Sequence, residues 1–141
     1  MDVIILQRDL RLLDNPALFY GSKKGNYCVI YVYDENYWQS YGRSPRQLKF
    51  AVDCMKELNE NLKKLDSEIL IFKGSFEKLG IFLRKEFPSS KIHLNHCTDN
   101  LYHREDLKKF LNIIELYPLP HPTSNISFFL SICMNVKILA K

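Results

Sequence analysis

Two periods alternate along the chain. Short runs rich in β-branched and aromatic residues, 3–6 (VIIL), 28–33 (CVIYVY), 68–72 (EILIF) and 91–95 (KIHLN), are bounded by polar residues or glycine. This is the pattern of strands buried on both faces of a parallel sheet. Residues 113–117 offer a fifth such run. Between the runs the apolar spacing lengthens to three and four residues. Across 45–65, Leu48, Ala51, Met55, Leu58, Leu62 and Leu65 share one face, while Lys49, Asp53, Lys56 and Lys63 take the other, which predicts an amphipathic helix. Its start is marked by Ser44 as cap, Pro45 at the first helical position and Gln47 completing a capping box. Asn15-Pro16 predicts another helix start. Ser75 opens a third helix, with Phe76, Leu79, Leu83 and Phe87 along one stripe, and 103–111 supplies a fourth.

Strand and helix in alternation predict an α/β fold, in which right-handed crossovers place helices on both faces of a parallel sheet. Ligands in such sheets bind beyond the carboxyl ends of the strands, here 7–11, 34–38, 73–75 and 95–99. Composition fits that picture. The chain has 141 residues, 46% hydrophobic and 26% charged, which suits one globular domain and excludes disordered, collagenous and low-complexity classes. A net charge of +4 names no partner by itself. Its distribution is uneven, because every acidic residue falls within 1–120, whereas 121–141 carry only Lys137 and Lys141. Pro118, Pro120 and Pro122 mark the change, and the apolar run 126–140 beyond them is shorter than the roughly 20 residues of a membrane span. No membrane association is expected. Cys28, Cys54, Cys97 and Cys133 form no C-x-x-C pair and no signal-peptide pattern follows Met1, so the expectation is a reduced, intracellular protein of the cytoplasm or nucleus.

The sequence lacks G-x-G-x-x-G, the P-loop pattern, G-x-S-x-G and H-E-x-x-H, which removes the basis for dinucleotide, P-loop, nucleophile-elbow and zincin readings. His93, His96, Cys97, Asp99 and His103 crowd one region. Strand alternation points 93, 95 and 97 one way and 96 the other, so no metal site is expected. Lys23-Lys24, Lys63-Lys64 and Lys108-Lys109 are interleaved with acids and read as solvated faces rather than a stripe for DNA. More informative is QRDLRLLDNPAL, which sets Arg8, Asp9, Arg11 and Asp14 directly beyond the first strand. On physical grounds these charges form an ion-pair network that holds the loop, with Asp9 reaching Arg11 or Arg46.

RDLRLLDNPAL resembles the opening of the DNA photolyase and cryptochrome family, and two further blocks follow in the family's order. YVYDENYWQSYGRSPRQLKFAVDCMKELNENLKKL is similar to its second strand, Trp-containing loop and Ser-Pro-Arg-Gln helix start in class I members, and EILIFKGSFEKL to its third strand. The resemblance spans roughly 2–112. It implies the family's N-terminal domain over 1–120, a Rossmann-like five-stranded parallel sheet with helices on both faces, which holds a light-harvesting chromophore. Two chromophores stay open, 8-hydroxy-5-deazaflavin and methenyltetrahydrofolate. Carried over by position, the resemblance assigns Asp9, Arg46 and Asp99 to the chromophore pocket, with Val32 and Tyr33 as its apolar wall. Departures accompany it. Leu6-Gln7 stand for Trp-Phe, Tyr41 for a folate-contacting His, Leu101-Tyr102 for an Asn-Glu pair, and Cys97 for a carboxylate of deazaflavin binders.

In the complete family protein a separate helical domain holds FAD and receives damaged DNA. Blue light captured by the antenna drives electron donation to a flipped-out cyclobutane pyrimidine dimer. Nothing in 121–141 resembles that domain, and Trp38 is the single tryptophan, so the resemblance implies an antenna domain without catalytic residues, inactive in repair alone. Whether it serves an enzyme stays open, as do two alternatives, a cryptochrome-type photoreceptor or partner-binding fragment and an unrelated Rossmann-like nucleotide-binding module.

Overall fold

A computed structural model of the chain describes residues 1–40, 42–95 and 101–115. Four strands, β1 (Asp2–Leu6), β2 (Tyr27–Tyr33), β3 (Ile69–Lys73) and β4 (Lys91–Leu94), form a parallel sheet in the order β3-β2-β1-β4. Five helices connect and cover them: α1 (Pro16–Ser22), α2 (Glu35–Ser40), α3 (Pro45–Lys63), α4 (Phe76–Glu86) and α5 (Leu101–Glu115). Val3, Ile5, Ile30 and Val32 face one layer, where they pack with α4 and α5 through Leu79, Leu83 and Phe110. Ile4, Leu6, Val29 and Tyr31 face the other, against Leu18 of α1 and Leu58 and Leu62 of α3. With both faces covered, the central strands need continuous apolar runs, and β1 is buried throughout.

The sequence expectations meet this architecture at most points. Asn15 caps α1, accepting from the Leu18 N–H, and Ser75 caps α4, accepting from Lys78. Both halves of the Ser44–Gln47 capping box are present. The fold is α/β with helices on both faces, but the described residues contain four strands rather than five. Ile113 and Ile114, read as part of a fifth strand, belong to α5. The helical spacing of Leu107, Phe110 and Ile114 seals all three against the sheet, and that pattern outcompetes the short β-branched run. The six-residue α2 stands where the resemblance implies a Trp-containing loop. Asp34 starts it by accepting from the Asn36 and Tyr37 N–H groups. Asp99, Tyr41, His96, Cys97 and the segment 121–141 lie outside the described residues. Among the described residues no helix is long and apolar enough to cross a membrane.

The apolar stripe of α3 has two fates. Leu58 and Leu62, in its second half, are buried on the sheet. The first half overhangs the carboxyl ends of the strands, where Phe50 remains 71% exposed. That overhang creates the site.

Candidate functional site

A cavity of about 560 Å³ lies across the carboxyl ends of β1 and β2, between the two helical layers. Its floor is Tyr31 and Val32, one side is the loop leaving β1, and the other is the first half of α3 with Phe50, Ala51 and Cys54. Such a volume falls in the range of roughly 300–1,000 Å³ typical of small-molecule sites. β1 neighbours β4 on one side, while its own crossover leads to β2 on the other, so the loop after β1 stands at the switch in strand order where α/β sheets take ligands.

The charged groups of the wall divide by sign. Asp9 accepts from the Gln7 N–H at 2.8 Å and from the Asn95 side-chain amide. Asp34 caps α2. Asp106, projecting from α5 and 9% exposed, accepts from the Phe76 N–H at 2.9 Å and the Glu77 N–H at 3.4 Å. Thus each carboxylate of the wall is engaged in holding backbone N–H groups. Arg46 is exposed and makes no hydrogen bond or ion pair with the described residues. Arg8 and Arg43 both donate to the Tyr37 hydroxyl, at 3.0 and 2.6 Å, and the Arg43 guanidinium also lies 5.3 Å from that ring's centre. Burial pushes the Tyr31 phenol above its ordinary range, with Tyr33 adding to the rise and Arg8 opposing it. The floor is therefore a neutral aromatic donor.

Asp9, Val32 and Arg46 all line this cavity. Tyr33 is not among the lining residues. It packs instead against the cluster of Leu6 and Tyr31. The expected ion pair of Asp9 with Arg11 or Arg46 is replaced by the amide contacts above. Arg11 pairs with Asp14 instead, at 3.7 Å on an exposed surface.

Several residues were not legible as site residues. Asn95, at the end of β4, donates to Asp9 and to Asn15 Oδ1 at 2.8 Å, while its own Oδ1 accepts from the Ala17 N–H at 3.0 Å. It therefore ties β4, the loop after β1 and the start of α1 into one unit. Tyr37, Arg43, Phe50 and Cys54 also line the cavity. For the last two the available signal was the i, i+4 step continuing from Arg46 along the same helix face.

The family model for DNA photolyase matches residues 2–112. The (6-4) DNA photolyase of Arabidopsis thaliana is 30% identical over 116 residues, covering 75% of this chain and 21% of that protein. Among solved structures, the archaeal photolyase of Sulfolobus tokodaii with two FAD molecules superposes with a TM-score of 0.68 at 25% identity, covering 82% of this chain and 27% of that one. The cryptochrome of Synechocystis sp. PCC6803 gives 0.66 at 24% identity, covering 81% and 25%, a likeness of fold. The chain thus spans about a fifth to a quarter of these relatives. With a matching family model over nearly all of the described sheet and helices, the chain belongs to the DNA photolyase and cryptochrome family and carries its N-terminal α/β domain.

Proposed function

We propose that this chain is the light-harvesting domain of a blue-light-driven photolyase, and that its cavity holds an anionic or polar polycyclic chromophore. The observation that carries the reading is the cavity itself. Its floor and α3 wall are apolar and aromatic, its acids are occupied in capping, and Arg46 faces it at the first turn of a 19-residue helix, where the helix dipole also favours negative charge. A planar conjugated ring with an ionised oxygen fits that donor set, which favours 8-hydroxy-5-deazaflavin over methenyltetrahydrofolate. When bound, such a group supplies absorption of near-ultraviolet or blue light. The chain's own residues bind and orient it. Val32, Phe50 and Cys54 exclude water from the ring, Arg46 balances its charge, and Asp9, clamped by Asn95, fixes the loop that closes one side.

In this reading residues 1–120 form the antenna domain, FAD and damaged DNA are handled by a helical domain outside the 141 residues, and the chain alone splits no cyclobutane dimer. The test is reconstitution of the purified chain with each chromophore, followed by absorption and fluorescence. Deazaflavin retained through gel filtration, with retention weakened at least tenfold by Arg46→Ala, is the expected result. Retention of neither chromophore would end the antenna reading. Dimer splitting under blue light after FAD addition would overturn the assignment of repair to a second domain. Cryptochrome relatives such as Cryptochrome DASH of Danio rerio, 28% identical over 94 residues, favour a photoreceptor as the second reading. It differs by an absence of repair in the complete protein.

A further inference from the structure

The large apolar side chains left exposed among the described residues are not scattered. Of the six, Phe50 lines the cavity and Ile81 lies on α4, whereas Leu13, Phe19, Tyr20 and Leu65 share one groove of about 460 Å³ between α1 and the end of α3. Phe19 and Tyr20 meet edge to face at 5.2 Å. Lys23 folds back with its ammonium 4.7 and 4.8 Å from the two ring centres, so this cation is held by the rings themselves. Three polar side chains of the lining are occupied as well. Asn15 bonds to Leu18, Asp9 and Arg11, Asp14 pairs with Arg11, and Ser22 donates to the Phe19 carbonyl. The groove thus offers apolar contact more than the convergent polar groups of a small-molecule site, and a contiguous apolar patch of this kind marks a surface that something covers.

The chain itself holds an occupant of the required chemistry. Residues 126–140 are apolar apart from Ser127, Ser131, Asn135 and Lys137, and no acid falls within 121–141. Their point of departure is also suitable. Asp106 meets the Phe76 N–H at the start of α4, and Phe110 faces Gly80 one turn on. The two helices therefore run parallel, and Glu115 comes to the amino end of the sheet. Tyr27, which opens β2, and Leu65, just before β3, bring the groove to that same end on the opposite face. Helical layers on the two faces of a sheet lie roughly 20 Å apart, and the ten residues 116–125 span roughly 30 Å when extended. A tether of that length keeps the apolar run at an effective concentration in the millimolar range, which favours it over a second copy. A second copy would also bring the lysines that flank the groove, Lys23, Lys63 and Lys64, towards the same lysines of its neighbour.

We infer that residues 126–140 cover the groove between α1 and α3, making Leu13, Phe19, Tyr20 and Leu65 an intramolecular docking face. Docking there needs no chromophore, since the groove shares no lining residue with the cavity.

The test is photocrosslinking in the full chain, with p-benzoylphenylalanine in place of Phe19 and, as a control, in place of Ile81 on the other helical layer. The Phe19 probe is expected to give a monomeric product linked to peptides of 126–140, and the Ile81 probe is not. A covalent dimer as the main product would assign the groove to a second copy and overturn the docking. Linkage of the Phe19 probe only to other peptides, no linkage at all, or equal linkage to 126–140 from both probes would also overturn it. Cys133 lies within the run and gives a second readout. Its labelling by iodoacetamide is expected to be about tenfold faster in Leu13→Ser/Phe19→Ser and in Tyr20→Lys than in the wild type. All three substituted side chains are exposed, and circular dichroism melts with unchanged Cys28 labelling establish that the variants are folded. Equal Cys133 rates in the wild type and a folded variant would contradict the docking.

Discussion

At the residue scale the most consequential side chains are amides and a buried histidine, not the charges that stand out in the sequence. Asn95 satisfies an orphan N–H at the start of α1 while its own amide holds Asp9 and Asn15. Asn95→Ala would strip the Ala17 N–H of its acceptor and Asp9 and Asn15 of one donor each in a partly buried region, and a loss of about 1–3 kcal/mol is expected. Urea denaturation measures it, and a loss under about 0.5 kcal/mol would show that water replaces the amide without penalty. His93 poses the opposite problem. It lies under α1 with Nε2 3.5 Å from Asp2 Oδ2, yet Nε2 and Asp2 Oδ1 are buried without a hydrogen bond to the described residues. Burial lowers its pKa below the ordinary 6.5, with Lys91 and Lys24 adding to the fall and the Asp2 carboxylate opposing it. The unfolded chain therefore takes up the proton first on acidification. Stability should be insensitive to this group well above pH 6.5 and should decline as pH falls through that value towards the lower folded pKa. His93→Gln should flatten the decline between pH 7.5 and 5.5. Equal slopes in variant and wild type would rule His93 out as its source.

At the element scale, legibility followed the range of the interaction. Helix starts were readable because a cap, a proline and an acceptor three residues on act within one turn, and Asn15, Ser44 and Ser75 all cap as their neighbours dictate. The α2 helix was not readable, since its six residues carry no stripe and Asp34 holds it from outside. Ile113 and Ile114 misled because a short β-branched run fits strand and helix alike, and only the sheet-facing register with Phe110 decides. Of the cavity lining, Asp9 and Arg46 were named through the family resemblance, whereas their charge pattern alone pointed to an ion-pair network. Tyr37 and Arg43 were not, because their meeting with Arg8 depends on how three separate segments converge. Gly21 is a case where packing imposes a residue that propensity disfavours. It sits inside α1, and a Cβ there would stand 2.4 Å from Ile4 Cγ1 and 2.7 Å from Ile4 Cδ1, with Ile4 fully buried. Although alanine favours helices, Gly21→Ala should therefore destabilise the protein, by about 1–3 kcal/mol. A neutral or stabilising result in a thermal or urea melt would mean that α1 can lift from β1 at no cost.

At the scale of the whole molecule, the two described cysteines report on different events. Cys28 lies in β2, the strand hydrogen-bonded to both β1 and β3, and although its side chain is only partly buried, burial pushes its thiol up to about 12, so thiolate is scarce in the folded state at neutral pH. Its modification is expected to proceed mainly when the sheet opens and the thiol regains its ordinary acidity. Cys54 lines the cavity, and its modification needs only that the cavity be empty. Iodoacetamide labelling at pH 8, resolved by peptide mass spectrometry, should accordingly mark Cys54 far faster than Cys28. A retained chromophore should slow Cys54 directly, and Cys28 only through the stabilisation that binding confers on the folded state. Gly21→Ala should do the reverse, raising the Cys28 rate in proportion to the lost stability when opening is rapid relative to reaction. Fast labelling of Cys28 in the native wild type would contradict a closed four-stranded core. Protection of both thiols to the same degree by ligand would show that the cavity and the sheet are one cooperative unit, with no independently accessible site.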